Sequence, residues 1–332
     1  MANTKSGNVK QSKTRAPKPL KTRAIRKSGE RVTTIKDRYT DVIKKVTDQG
    51  HIEFQHRGVE KEGEVMEIAE RTVLTVYPTT TVKAVATLME NNDFRRLPVV
   101  NAGTGRLEGM AVAIDILDFF GGGEKYNIIL NDFKGNFLSA INCPIRKIMI
   151  EDYSVLNKTA SFDDVVNVIL EKHHSAIPIV DGNNKVVGIV TERDILPTVE
   201  SLGVCVGDVM HRNIITSSRG MMISDASKIM VRNRKRRLPV LENDRIVGVI
   251  TVFDILRFFA KGNFKGVKAD EVLSERVDKV MATDITTVSP NQDVSDVLKL
   301  IDETGFGGFP VVEDNQLIGL ITISDIIKEI YT

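Results

Sequence analysis

The chain has 332 residues, 42% of them apolar and 27% charged, with no tryptophan and a formal net charge of +2 at pH 7. That balance is ordinary for a globular protein with more than one core, and the length suggests two domains. No uninterrupted apolar segment reaches the roughly 18 residues of a membrane helix, and Cys143 and Cys205 are isolated, which fits a reduced, cytoplasmic setting better than a disulfide scaffold.

The charge is uneven. Residues 1–38 hold twelve Lys or Arg, from Lys5 to Arg38, against Glu30 and Asp37; this +10 arm and a total of +2 leave −8 on the rest. The basic residues are mixed with Ser, Thr, Asn and Pro and few apolar side chains, so the arm is expected to be disordered on its own. Such a charge attracts nucleic acid without sequence preference, anionic membrane or an acidic protein, or merely solubilises the chain. No apolar stretch follows it, so it does not read as a secretory signal.

After a link at 39–61, four segments superimpose in sequence. They are expected at 62–123, 145–200, 201–262 and 277–332, with links at 124–144 and 263–276. Each carries an aligned Met (Met66, Met149, Met210, Met281), Pro (Pro98, Pro178, Pro239, Pro310) and Gly (Gly109, Gly188, Gly248, Gly319), with an Asp six residues beyond the Gly (Asp115, Asp194, Asp254, Asp325). In each, a short strand is followed by an amphipathic helix, such as Val82, Val85, Leu88 and Met89 at helical spacing. Two apolar strands follow, joined by a turn such as Asp181-Gly182-Asn183-Asn184, and a second helix begins near the Asp. The result is a β-α-β-β-α unit of about 60 residues, small for an independent core, so copies should pair.

A larger period lies above this one. Copies 1 and 3 share Arg-Arg-Leu-Pro-Val, and their second helices run into Phe119-Phe120 and Phe258-Phe259; copies 2 and 4 have neither feature. The duplicated unit is therefore a pair of copies.

On these residues the chain resembles the CBS family, whose signature is an apolar-Pro-apolar strand followed by Gly-x-x-Thr-x-x-Asp. Its repeat architecture is similar to that of the gamma subunits of AMP-activated protein kinase. The resemblance implies an α/β fold in which four tandem β-α-β-β-α repeats pair into two Bateman modules, with two clefts per module. It also implies that one chain is able to complete a disc-like pseudo-symmetric assembly internally. The clefts of the family commonly take AMP, ADP, ATP or S-adenosylmethionine.

A ribose offers two neighbouring hydroxyls that one carboxylate can accept, and an ionised acceptor strengthens both bonds. The Thr three residues earlier, Thr191, Thr251 or Thr322, offers a hydroxyl to ribose or phosphate; copy 1 has Val112 there. Asp at a helix start is equally a favoured cap. Phosphate needs cations, which copies 1 and 3 carry as Arg95-Arg96 and Lys235-Arg236-Arg237. Carried over from the family, Thr191 and Asp194 face Arg95 and Arg96, and Thr322 and Asp325 face Arg236 and Arg237. These are the two favoured sites. The reverse clefts carry less: Asp115 faces His173 or His174 without its Thr, and Asp254 with Thr251 faces only Gly307 and Gly308. Thr75, Thr216 and Thr287 align in the first strand, where they either contact a base or simply favour strand.

The expected function is therefore a regulatory sensor of adenosine nucleotides or a related adenosyl ligand. It would signal occupancy to a regulated protein or to its own oligomer. No Walker loop, Gly-x-Ser-x-Gly or metal-binding His cluster is present, and four copies consume nearly all the folded length, so an enzyme is not expected. The alternatives are a nucleic-acid-associated protein using residues 1–38, and a structural scaffold with empty clefts.

Overall fold

The computed structural model describes residues 62–261, 271 and 273–332. The basic arm, the link at 39–61 with His51 and His56, and most of the link at 263–276 lie outside them. Copy 1 comprises α1 (Val65–Ile68), α2 (Val82–Asn92), the hairpin β1 (Arg96–Val100) and β2 (Leu107–Val112), and α3 (Ala113–Leu117). The stretch expected as a link folds into α4 (Tyr126–Phe133) and α5 (Phe137–Ile141), because Ile129, Phe137, Ala140 and Ile141 have an apolar face to bury. Copy 2 follows with β3 (Leu156–Asn157), α6 (Phe162–Lys172), β4 (Ala176–Val180) and β5 (Val186–Thr191). Copy 3 contains α7 (Val206–Val209), β6 (Ser217–Ser218), α8 (Ile223–Arg232), β7 (Arg237–Glu242), β8 (Arg245–Thr251) and α9 (Val252–Lys261). Copy 4 contains α10 (Val294–Thr304), β9 (Gly308–Glu313), β10 (Gln316–Thr322) and α11 (Ile323–Tyr331).

Local chemistry explains the element ends. Thr81 caps α2 by accepting from the Ala84 N–H, and Ser161 and Asp164 form a reciprocal capping box on α6. The hairpins of copies 3 and 4 turn through Asn243-Asp244 and Asp314-Asn315, each pair with both residues at positive φ, as a two-residue turn matched to strand twist requires. The Pro-bearing strands sit between a long antiparallel neighbour and a parallel one of only one or two residues. So little ladder on that side tolerates the missing donor of proline. The second helix of copy 2 is a correction: only a single 3-10 turn forms at Glu192–Ile195, because Pro197 holds Leu196 extended at ψ 134.

Copies pair in two different ways. Within a module each copy lends its opening segment to its partner: Glu70 bridges Ile189 and Met110 bridges Ile150, while His211 bridges Leu320 and Val249 bridges Ala282. The aligned glycines make this approach possible. A Cβ on Gly109 would lie 2.5 Å from the Ile150 carbonyl oxygen, and one on Gly248 would lie 2.6 Å from the Met281 sulfur. In copies 3 and 4 the aligned Gly of each meets the aligned Met of the other.

Between modules the helices meet. One core joins copies 1 and 3 and a second joins copies 2 and 4. The Phe pair peculiar to copies 1 and 3 lies where those copies touch, with the Phe120 and Phe259 rings 4.8 Å apart. Phe137 from α5 adds a third ring, 5.5 Å from Phe259. In the other core the Tyr331 hydroxyl donates to the Ile195 carbonyl at 2.7 Å, and its burial pushes the phenol up to about 12.

Candidate nucleotide clefts

The Thr-x-x-Asp segments of copies 2, 3 and 4 have the same local geometry. In copy 3 the Thr251 N–H and hydroxyl donate to Asp254 Oδ2 at 2.8 and 2.6 Å. Copies 2 and 4 repeat this, at 2.7 and 2.9 Å for Thr191–Asp194 and at 2.8 and 2.6 Å for Thr322–Asp325. Capping and binding are thus compatible: the cap uses one carboxylate oxygen and fixes where the other points. The surroundings of the four carboxylates differ.

Asp254 opens on a cavity of about 520 Å³ whose lining includes Thr251, Arg95, Arg96, Arg237 and Phe306. The spare oxygen of Asp254 accepts from Arg257 at 3.2 Å, and the Arg257 side chain is 45% exposed. Thr191 and Asp194 line a second cavity of about 620 Å³, again with Arg95 and Arg96. Both volumes suit a drug-sized ligand. The expected juxtaposition of Thr191 and Asp194 with Arg95 and Arg96 is present.

The remaining juxtapositions vary from copy to copy. Arg236 and Arg237 line the cavity of Asp254. Arg237 stands opposite Thr251 in its own hairpin and donates to the carbonyl of Gly308, the register partner of Thr322. Asp325 is engaged by His211 Nδ1 at 3.2 Å. The glycines facing Asp254 are also not an electrostatic gap. A Cβ on Gly307 would come 3.2 Å from an Arg95 nitrogen and 3.3 Å from an Arg237 nitrogen, so the bare loop makes room for guanidinium groups from copies 1 and 3.

These arginines form a crowded cationic centre. Burial and mutual repulsion push Arg95 down to about 10 and Arg237 to about 9, and Arg236 is lowered for the same first reason. Arg95 and Arg237 keep their charge at neutral pH. Arg96 and Arg236 both donate to the Ser175 hydroxyl, the latter at 3.1 Å. The buried Glu192 lies 3.8 Å from Arg236 and accepts from Ser324 at 2.9 Å. The Nε of Arg96 is buried with no hydrogen-bond partner among the described residues. Several desolvated cations around one carboxylate favour an incoming anion.

Asp115 presents the opposite case. It lacks the Thr hydroxyl, and Lys125, just ahead of α4, donates to it and to the Ile148 carbonyl at 3.0 Å. The adjoining space holds Tyr153, which packs on Met110 and Val112 and is 9% exposed. His173 ends α6 in the left-handed conformation, and His174 stacks on Tyr153. Lys125, Tyr153 and His211 were missed by sequence reasoning. For Tyr153 a signal existed, since it is the one aromatic residue at its position in the four aligned copies, against Val73, Ile214 and Ile285.

Among the described residues no helix is long and apolar enough to cross a membrane, and no group of three or more His, Cys, Asp or Glu could hold a metal ion.

Comparison with protein families matches the CBS domain four times, at 65–122, 145–200, 206–261 and 277–332. The uncharacterized protein MJ1225 of Methanocaldococcus jannaschii is 35% identical over 274 residues, which is 80% of this chain and 98% of that one. Its crystal structure, described as that of a candidate archaeal homolog of g-AMPK, superposes with a TM-score of 0.76 over 80% of this chain and 99% of that one, at 34% identity. A second uncharacterized protein of the same organism, MJ1404, is 31% identical over 80% of this chain and 61% of its own length. An uncharacterized protein from Pyrococcus horikoshii shares the fold, with a TM-score of 0.51 at 21% identity over 80% of this chain and 98% of that one.

Proposed function

Because the chain belongs to the CBS domain family, we propose that it is a regulatory sensor of adenosine nucleotides, with one site at Asp254 and another at Asp194. One observation carries the reading: each carboxylate is fixed by a Thr cap at the edge of a nucleotide-sized cavity that is also lined by Arg95 and Arg96. A ribose diol donates to the carboxylate, displacing Arg257 from Asp254, and the phosphates lie against the guanidinium groups. A phosphorylated ligand fits this field better than S-adenosylmethionine, whose sulfonium would face the same arginines. The 35% identical relative described as a candidate homolog of g-AMPK supports a regulatory role over a catalytic one.

The first cavity is lined from copies 1, 3 and 4, and the second from copies 1, 2 and 4. A ligand that binds one arrangement of these copies better than another shifts their population, and a regulated protein or a further copy of the chain reads that shift. The test is calorimetric titration of the full chain with AMP, ADP, ATP and S-adenosylmethionine, alongside Asp254→Asn and Asp194→Asn. Saturable binding that each substitution weakens supports the reading. No binding by the folded wild-type chain to any of the four would defeat it.

A further inference from the structure

The Asp115 cleft is already filled, and it serves as an internal reference for the open ones. The Tyr153 ring lies face to face with the His174 imidazole, centroids 4.1 Å apart and planes 5° from parallel. Its hydroxyl donates to the Ala176 carbonyl at 3.0 Å, and the Arg96 guanidinium partly offsets the upward push of burial on the phenol. The ring thus spans the cleft from its strand wall to its cationic side.

Both ring positions recur in the other copies. Tyr153 precedes by three residues Leu156, the partner of Ile179; Val73 and Ile285 precede by three residues Val76 and Val288, the partners of Val99 and Val311. His174 follows His173, the residue with φ 54 that ends α6; Phe94 follows Asp93 (φ 54) and Phe306 follows Gly305 (φ 73). The cavities therefore pair a ringless wall residue with an aromatic: Ile285 with Phe306 in the first, Val73 with Phe94 in the second. Both phenylalanines are unusually open, at 43% for Phe94 and 50% for Phe306. Copy 3 breaks the pattern, with Lys235 after Arg234 (φ 51), and its partner carboxylate, Asp325, is the one engaged by His211.

We propose that Phe306 and Phe94 are the stacking residues of the two open clefts, and that the base of a bound nucleotide takes in each the place that the Tyr153 ring takes in the closed one. A flat aromatic surface favours a planar heterocycle and is indifferent to phosphate number. This rests on the nucleotide reading above, and the test separates the two.

The chain has no tryptophan, so Phe306→Trp and Phe94→Trp each install a single reporter. Titration with AMP should quench the emission of each in step with the calorimetric curve. Phe306→Leu should weaken AMP at the Asp254 site about tenfold, as loss of base–aromatic stacking does. Phe306→His, the residue type of copy 2, should restore most of that affinity. Unchanged emission from both reporters at calorimetric saturation, or full AMP affinity in Phe306→Leu, overturns the stacking role while leaving the nucleotide reading intact. If wild-type protein binds no AMP, both fall together.

Discussion

The clefts at Asp254 and Asp115 share a repeat, a hairpin register and a carboxylate at the same point, yet one is a cavity and the other is filled. In the Asp115 cleft the carboxylate is engaged by Lys125, tethered by α4, and the space by Tyr153 stacked on His174. In the Asp254 cleft the carboxylate meets Arg257, a long, half-exposed rim residue, and the wall residue is Ile285. Repeated backbone sets where a carboxylate stands; a few side chains decide whether its partner comes from the chain itself or from outside.

The largest expected effect comes from emptying the filled cleft. Tyr153→Ala should cost about 3–5 kcal/mol, the range for removing a buried aromatic ring, read as a lower midpoint in urea. The converse change, Ile285→Tyr, should fill the Asp254 cleft and remove one AMP site from the calorimetric stoichiometry with little loss of stability; an unchanged stoichiometry would break the comparison.

The carboxylates come next. Asp254→Asn removes the ionised acceptor and should weaken AMP about 10- to 100-fold, as expected for a charge-assisted pair. Asp115→Asn should leave AMP affinity unaltered and lower only the melting temperature. Equal effects on affinity would show that the Asp115 cleft opens in solution.

A packing difference of about 1–3 kcal/mol is expected from overfilling the strand exchange within a module. Gly109→Ala should approach the upper end, because its Cβ meets the Ile150 backbone. Gly319→Ala should cost less, because it meets the Met210 side chain, which can turn away. Paired denaturation curves measure the order.

The smallest effect is on pH dependence. Burial, with Arg96 nearby, holds the His174 imidazole below its ordinary value of 6.5. Its neutral form is therefore the folded one, and the unfolded chain takes up the proton first. The stability it contributes is complete above 6.5 and is lost as the pH falls from there to the lower native value. Denaturation at pH about 7.5 and about 5.5 should show a loss that His174→Phe abolishes, since Phe keeps the stack and cannot titrate.

Features that depend on neighbours in the chain were legible from the residues alone. Thr-x-x-Asp forms its cap within three residues in copies 2, 3 and 4, and Asn-Asp or Asp-Asn closes a hairpin through its own φ preferences. The Phe pair of copies 1 and 3 marked the larger period, and only the packing showed that these rings meet each other. Copy 2 obeyed the repeat less well because Pro197 acts on its own helix, which the four-fold alignment obscured.

Which groups face each carboxylate could be settled only by the way the copies pack. Arg237 belongs to the Asp254 cleft through strand register, and Arg95 reaches that cleft from the other module, through the space that Gly307 leaves. Lys125 finds Asp115 because α4 and α5 fold back onto copy 1. Short-range hydrogen bonds and periodicity are written in consecutive residues. Charge partners and cavities depend on segments tens to hundreds of residues apart, whose meeting is fixed by burial of both cores together, so the fold could be read from the repeat but the occupancy of its clefts could not.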